Sequence, residues 1–353
     1  MSENQRILTS GYDLNAVRLE FGSQFRIDAP LARLTTAQVG GKADGLLVAD
    51  SVEDLIEMAG FLWDKKVPFF VLGGGSNLLV SDAGVRGVVL LNKARQAKFD
   101  QEADPPTVWA ASGTNFGVLA RQAAAHGLGD LEWAAGIPGT VGGAVVGNAG
   151  AHGSDISNHL LLADILHHRT VNIPRDNGSK PRSMNSRENW SVEQLEYGYR
   201  DSSIKRAAEV SSPFISFRPQ AVQTPEQPIA IVLSAYLRLS RSTPEAAQAK
   251  IDEFVAFRRR TQPPGASMGS MFKNPPQDFA GRLIDKAGLK GTRVGGAGIS
   301  PLHGNFFINY GNATAADIWS LLQNARETVH EKFGIELELE IQLAGEWDNP
   351  DDL

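Results

Sequence analysis

The chain contains no cysteine. That absence excludes disulfides, thiolate metal sites and a cysteine nucleophile together, and it fits a reducing compartment. Basic excess is lacking too: 34 lysines and arginines face 40 aspartates and glutamates, a formal net charge of -6. Such a balance offers no cationic face for a phosphate backbone, so nucleic acid is not expected as a partner. A small anion remains possible, because a few converging donors bind one even on an acidic protein. No apolar run approaches the ~18 residues of a membrane span, and Met1-Ser2-Glu3-Asn4-Gln5-Arg6 lacks the basic-then-apolar order of a signal segment. We therefore expect a soluble cytosolic protein with no membrane partner and no metal. Its 353 residues, 42% of them hydrophobic, exceed the usual size of one domain, so two or three are expected.

What the sequence has in quantity is glycine, 36 residues, clustered at Gly73-Gly74-Gly75, over 136–153 and over 288–298. Clustered glycine between apolar strands signals backbone held close to something else. Ser51 with Asp54 reads as a capping box opening a helix whose buried stripe is Leu55, Ile56, Ala59, Leu62 and Trp63. Strands are expected over 67–72, running into the triple glycine, and over 85–91. The pattern repeats: a strand from Val108 leads through Ser112-Gly113-Thr114-Asn115 into a helix burying Phe116, Leu119, Ala120, Ala123 and Ala124, stopped by Gly127. Over 167–195 the apolar period fails, which predicts an exposed polar insertion. Beyond it we expect a strand over 229–239, a proline-opened helix over 244–260, and a helix capped by Thr314, with Ile318, Leu321, Leu322, Ala325 and Val329 inward and Gly334 at its end. The unbroken alternation of 335–343 predicts a strand with one carboxylate-rich face.

Gly73-Gly74-Gly75-Ser76-Asn77-Leu78 follows a strand directly, where consecutive unshielded N–H groups suit a pyrophosphate. It is not the G-x-G-x-x-G fingerprint, since Leu78 occupies the third glycine position. Alone, a tight turn is the better reading. A second loop, Gly136-Ile137-Pro138-Gly139-Thr140-Val141-Gly142-Gly143, continuing to Asn148-Ala149-Gly150-Ala151-His152-Gly153, makes a long dinucleotide lying between two units the better account.

Both loops, with Thr36-Ala37-Gln38-Val39-Gly40-Gly41-Lys42-Ala43-Asp44, resemble the FAD-binding elements of the UDP-N-acetylenolpyruvoylglucosamine reductase family, its shorter branch. Three further segments match in the family's order. Tyr199-Arg200-Asp201-Ser202 resembles its Y-R-x-S element, Gly269-Ser270-Met271-Phe272-Lys273-Asn274-Pro275 its G-S-x-F-K-N-P, and Glu340-Ile341-Gln342-Leu343-Ala344-Gly345 its closing E-[VI]-x-x-x-G. The resemblance spans roughly 34–346, with the long polar stretch before Arg200 as its departure. It implies an α+β protein: two α/β FAD-binding subdomains of the vanillyl-alcohol-oxidase-like (PCMH-type) flavin fold and a C-terminal α+β substrate domain. The corresponding division is 1–92, 93–236 with the insertion at 168–195, 237–346, and a tail at 347–353.

The same resemblance implies function: NADPH-dependent reduction of UDP-N-acetylglucosamine enolpyruvate to UDP-N-acetylmuramate for peptidoglycan synthesis. FAD would be bound non-covalently, without a tethering side chain, and the protein would act as a cytosolic monomer on a small UDP-sugar. By resemblance Gly73, Gly74, Gly75, Ser76, Asn77 and Leu78 hold the pyrophosphate, while Gly136, Ile137, Gly139, Thr140, Gly143, Asn148 and Gly150 line the cofactor further along. Asn274, His303 and Asn305 are expected at the UDP-sugar, with Gly295 to Gly298, Lys273 and Lys290 nearby. Arg200, Ser270 and Glu340 are the expected catalytic residues. Taken singly, each has a plainer reading: a surface ion pair, a turn serine, one solvated carboxylate among several. Together they fit the chemistry, because hydride addition to an enol ether builds enolate-like charge that must be stabilised and protonated. Arg200 offers a planar pair of donors to the carboxylate, a protonated Glu340 donates to the enolate, and Ser270 supplies the carbon's proton. An oxidase of the same fold, or a non-catalytic nucleotide-binding protein, would need the glycine loops but not the last two motifs.

Overall fold

The computed structural model describes residues 12–173, 180–211 and 229–347. In the first unit β1 (Phe25–Pro30), β2 (Lys42–Ala49), α1 (Val52–Asp64), β3 (Phe69–Leu72), β4 (Leu78–Val80) and β5 (Val85–Asn92) follow one another. The sheet runs β1-β2-β5-β3, with β5 parallel to both β2 and β3 and β1 antiparallel at the edge. The capping box forms as read: Asp54 N donates to Ser51 Oγ at 3.0 Å and Ser51 N to Asp54 Oδ2 at 3.1 Å. Leu55, Ala59, Leu62 and Trp63 then face inward and Ile56 stays half-buried, so a 3.6-residue stripe fixes which side of α1 meets the sheet.

The second unit is a five-stranded antiparallel sheet of β6 (Ala97–Asp100), β7 (Thr107–Ala111), β8 (Leu160–Ile173), β9 (Lys180–Trp190) and β10 (Ile229–Arg238), ordered β9-β8-β10-β7-β6. Its core takes the inward faces of α2 (Phe116–Ala125) and α3 (Val141–Gly147). α5 (Pro244–Thr261) belongs to this core through Ala247 and Ile251, although it lies beyond the 236/237 division expected from sequence. α1 packs on both sheets, since Leu55 and Trp63 share one apolar cluster with Ala111, Leu166, Ile231 and Leu233.

The polar stretch expected to be an exposed insertion is instead largely sheet. Arg187, Glu188 and Trp190 lie on β9, paired along β8 from Ala163↔Trp190 to Ile173↔Lys180; residues 174–179 lie outside the described ones. Its period of two is carried by polar rather than apolar side chains, so hydropathy hides it. Arg187 Nε reaches both oxygens of the buried Asp164 at 2.8 Å, His168 Nδ1 lies 3.0 Å from Asn185 Oδ1, and the His168 ring stacks on Trp63 with centroids 5.0 Å apart.

The third unit holds α6 (Ala280–Lys286), a small antiparallel sheet of β11 (Arg293–Val294), β12 (Ala297–Ile299) and β13 (Phe307–Asn309), α7 (Ala315–Phe333) and β14 (Gln342–Ala344). Thr314 and Asp317 form a capping box at the start of α7, and Gly334 ends it in the left-handed region. The strand expected over 335–343 is corrected to β14 alone. The stretch before it, with Leu337 buried and Glu338 exposed, pairs among the described residues through a single Phe272↔Leu339 bridge. Alternation dictates extended backbone; a regular strand also needs an unbroken neighbour.

The contacts that bind this unit to the first include a strand pairing and a helix end. β14 runs parallel to β4, Gln342↔Leu78 through Ala344↔Val80. Asp82 accepts hydrogen bonds from Ala315 N and Ala316 N, both at 2.9 Å, satisfying free donors at the start of α7.

Arg187→Ala tests whether the polar edge is structural. It leaves the Asp164 carboxylate buried without its main partner, and we expect a loss of roughly 1–3 kcal/mol, the scale of a charge-assisted hydrogen bond, read as a lower denaturant midpoint. An unchanged midpoint would return the segment to the status of a dispensable surface loop.

Candidate active site

The triple-glycine loop leaves β3 and is walled in by its own protein. A Cβ on Gly74 would sit 2.9 Å from Gly139 Cα, so the two glycine loops meet backbone to backbone. Gly75 has φ +59°, and a side chain there would collide with the Leu34 carbonyl. Gly75 O accepts from Thr36 N at 2.9 Å, and Ser76 Oγ donates to Pro138 O at 3.2 Å. The N–H groups of Gly74, Gly75, Ser76 and Asn77, by contrast, donate to no group among the described residues. Successive free amides on a rigid turn fit a diphosphate.

In the second loop Thr140 caps α3 through its hydroxyl, which accepts from Gly143 N at 3.3 Å, and Gly139 O accepts from Phe116 N at 3.1 Å. Ile137 is half-buried against the second core. Asn148 does other work. In a left-handed conformation at the end of α3, it donates from Nδ2 to Gly198 O at 3.0 Å and accepts at Oδ1 from Ser157 N at 3.1 Å. Gly150 pairs with Asp155 in a two-residue hairpin beside it. Asn148 thus ties the glycine loop to the turn that carries Arg200.

Arg200 and Glu340 meet. Arg200 Nε lies 2.8 Å from Glu340 Oε1, with the side chains 26% and 17% exposed; the N–H is not aimed along that line, so this is an ion pair rather than an aligned hydrogen bond. Burial pushes the Glu340 carboxyl above the ordinary carboxylate range, against the opposing charges of Arg200, Lys205 and Lys273. Ser270 joins through the backbone: Glu340 N donates to Met271 O at 2.8 Å, and Ser270 bridges Phe306 on its other side. Asn77 Nδ2 donates to Glu340 O at 3.0 Å, which fastens the carboxylate's residue to the glycine loop.

The amides expected at the substrate are used inside the protein. Asn305, 3% exposed, grips Phe272 from both sides, accepting from its N–H at 2.9 Å and donating to its carbonyl at 2.8 Å. Asn274 Oδ1 accepts from Ala280 N at 3.1 Å at the start of α6. His303 Nδ1 accepts from Asn305 N at 3.2 Å, and burial lowers its basicity, with Lys290 adding to the effect. Gly296 N donates to Asp317 Oδ2 at 3.2 Å, while Lys273 and Lys290 pair with Glu338 and Asp285. Asn305 thereby fixes the backbone directly after Ser270.

Two cations escaped the sequence reading. Lys205 is buried and donates from Nζ to Arg200 O at 3.0 Å. Arg258 lies over Gly136, its basicity lowered by burial and by the charge of Arg200. Their only sequence signal is position, Lys205 five residues after Arg200 and Arg258 late in an amphipathic helix.

A free-amide loop at the end of a parallel strand, facing a second glycine loop, with an arginine–carboxylate pair at its edge, fits a nucleotide-binding protein with an added C-terminal unit. Residues 43–168 match the family model described as an FAD binding domain, and residues 261–344 match that of the UDP-N-acetylenolpyruvoylglucosamine reductase C-terminal domain. The chain is 39% identical over 318 residues to the UDP-N-acetylenolpyruvoylglucosamine reductase of Chloroflexus aggregans, covering 90% of this chain and 97% of that one. It is 36% identical over 317 residues to that of Bacillus subtilis, covering 90% and 92%. The crystal structure of the Thermus caldophilus enzyme superposes with a TM-score of 0.67 at 32% identity, covering 91% of this chain and 98% of that one. The chain belongs to the UDP-N-acetylenolpyruvoylglucosamine reductase family.

Gly75→Ala checks the loop. Strain at φ +59° and the collision with Leu34 should shift the turn and yield folded protein with much less bound FAD, measured as the flavin-to-protein absorbance ratio. Full FAD occupancy would mean that the loop's shape does not govern binding.

Proposed function

We propose that Arg200, Ser270 and Glu340 perform the proton and charge chemistry of this family's reaction in this chain. The chain is an FAD-dependent reductase, fed by NADPH, that converts UDP-N-acetylglucosamine enolpyruvate to UDP-N-acetylmuramate in peptidoglycan synthesis. The flavin, when bound, supplies the hydride. The residues that fit its diphosphate are those with free amides, Gly74 to Asn77, and the chain has no cysteine to tether it. A site assembled from one chain needs no second copy, and a reductase drawing on NADPH belongs in the cytosol; these grounds support a cytosolic monomer.

The observation that carries the reading is the 2.8 Å approach of Arg200 to Glu340 beside the segment bearing Ser270. Hydride addition at the vinyl carbon places negative charge on the neighbouring carbon and its carboxylate. Arg200 holds that carboxylate, and in doing so withdraws the charge that favours ionised Glu340. Glu340, already pushed towards its acid form by burial, then takes up a proton and donates it as a hydrogen bond to the developing enolate. Ser270, its backbone fixed between Phe306 and the Met271–Glu340 contact, delivers the carbon's proton and is recharged through solvent.

Ser270→Ala separates the two halves of the cycle. Bleaching of the flavin by NADPH should keep nearly its normal rate, because it uses no substrate-side proton donor. Anaerobic reoxidation by the enolpyruvyl sugar should slow by ~10²–10⁴-fold, the usual worth of a positioned acid. Reoxidation at full speed would reduce Ser270 to a turn residue; failure of both steps would assign it to the cofactor.

The same stopped-flow assay across pH examines Glu340. Its acid form is the active one, so reoxidation should be fast at low pH and fall as pH rises through its raised pKa. Glu340→Gln, which cannot ionise, should be slower throughout and lack that alkaline limb. A limb that survives the substitution belongs to another group.

A further inference from the structure

Arg200 sits at φ +57°, a backbone conformation uncommon for a residue with a side chain. Several contacts hold the turn. Gly198 and Asp201 exchange backbone hydrogen bonds at 3.1 and 3.3 Å, and Asn148 donates to Gly198 O. On the far side Lys205 Nζ donates to the carbonyl of Arg200 itself at 3.0 Å. Lys205 is only 6% exposed, on α4 (Ser203–Ser211). Ser202 fixes the start of that helix: its hydroxyl donates to Val146 O at 2.6 Å and accepts from Lys205 N at 3.1 Å.

Burying an ammonium group carries a large desolvation cost, and a methionine would fill the same space without it. The charge of Lys205 also acts on Glu340. Among the described residues, the cations favouring ionised Glu340 are Arg200 from the turn, Lys205 from α4 and Lys273 from the segment after Ser270. Arg200 is the one the substrate's carboxylate would claim. Lys273 is paired with the exposed Glu338 at 3.3 Å. Lys205 is held by the protein.

We propose that Lys205 is a positioning residue for the reaction: its ammonium locks the Arg200 carbonyl in the left-handed turn and keeps a fixed positive charge acting on Glu340 when the substrate's carboxylate occupies the Arg200 guanidinium. This rests on the catalytic roles given to Arg200 and Glu340 above.

The test uses FAD-loaded Lys205→Met, Lys205→Gln and Lys205→Arg enzymes, with flavin content and visible spectrum as the measure of intact holoenzyme. Reoxidation by UDP-N-acetylglucosamine enolpyruvate is followed across pH. Lys205→Met should slow it on the order of 10²-fold, as displaced catalytic groups do. It should also move the alkaline limb to higher pH by about one unit, because removing a positive charge disfavours ionised Glu340 and preserves its acid form further. Lys205→Gln keeps a donor for the carbonyl but no charge. It should recover part of the rate and retain the shifted limb, and it carries the test should the Met variant not yield holoenzyme. Lys205→Arg should return the limb towards its original position. A limb unmoved in both neutral variants overturns the proposal, leaving Lys205 as packing. The Glu340→Gln profile separates that result from failure of the underlying reading, which is marked by a limb that persists without Glu340.

Discussion

The arrangement depends on one short parallel pairing, β4 against β14, placed immediately after the triple-glycine loop. Three residue pairs join chain segments more than 260 positions apart, and Asn77 extends the ladder by accepting from Gln342 N at 2.9 Å and donating to Glu340 O. Hydrogen bonds of this kind contribute only ~1 kcal/mol each. They hold because Leu79, Ile341 and Leu343 are buried with Ala37, Val39 and the third unit's helices in one apolar cluster. Residues 74–77 therefore present free amides while Asn77 also holds the segment that leads from Glu340 into β14. The free-amide loop and Glu340 are thus joined directly through the backbone and side chain of Asn77.

That pairing explains why the two units cannot be treated as independent domains in sequence order. Ala37, Val39 and Leu79 come from the first unit yet are buried in the core of the third. Asp82 crosses the same boundary to occupy the first amides of α7, a position where a carboxylate also meets the positive end of the helix dipole. The third unit is thereby docked through backbone and helix-end groups that leave almost no mark on composition.

The helices were legible because their signals are local. Ser51 and Asp54, Thr314 and Asp317, and Gly334 act within one turn of where they stand, and an apolar stripe needs no partner to be recognised. The glycine loops were legible as places of close approach, though not in what they approach: Gly74 faces Gly139, a contact across the fold. Legibility failed where identity and use diverge. Asn305 and Asn274 carry amides that would suit a sugar or a phosphate, and no sequence pattern announces the backbone groups of Phe272 and Ala280 that they also bond. Residues 185–190 are too polar to read as a strand, yet Asp164 supplies Arg187 with a buried counter-charge that only the folded sheet provides. Arg200, Ser270 and Glu340 were reachable through the resemblance of their motifs; no periodicity predicts that Arg200 and Glu340 lie 2.8 Å apart.

Electrostatics also accounts for how a protein of net charge -6 can bind ligands that are all anions. Near the second glycine loop, Arg200 is neutralised by Glu340, whereas the Arg258 guanidinium has neither ion pair nor hydrogen bond among the described residues. Burial and the charge of Arg200 both lower its basicity. In general an anion gains more from a desolvated charge already held in place than from one recruited out of water. Backbone amides on the first loop work the same way, since they are fixed before the ligand arrives and their reorganisation costs little. A net negative charge is therefore no obstacle to anion binding, because a few local donors arranged in advance suffice.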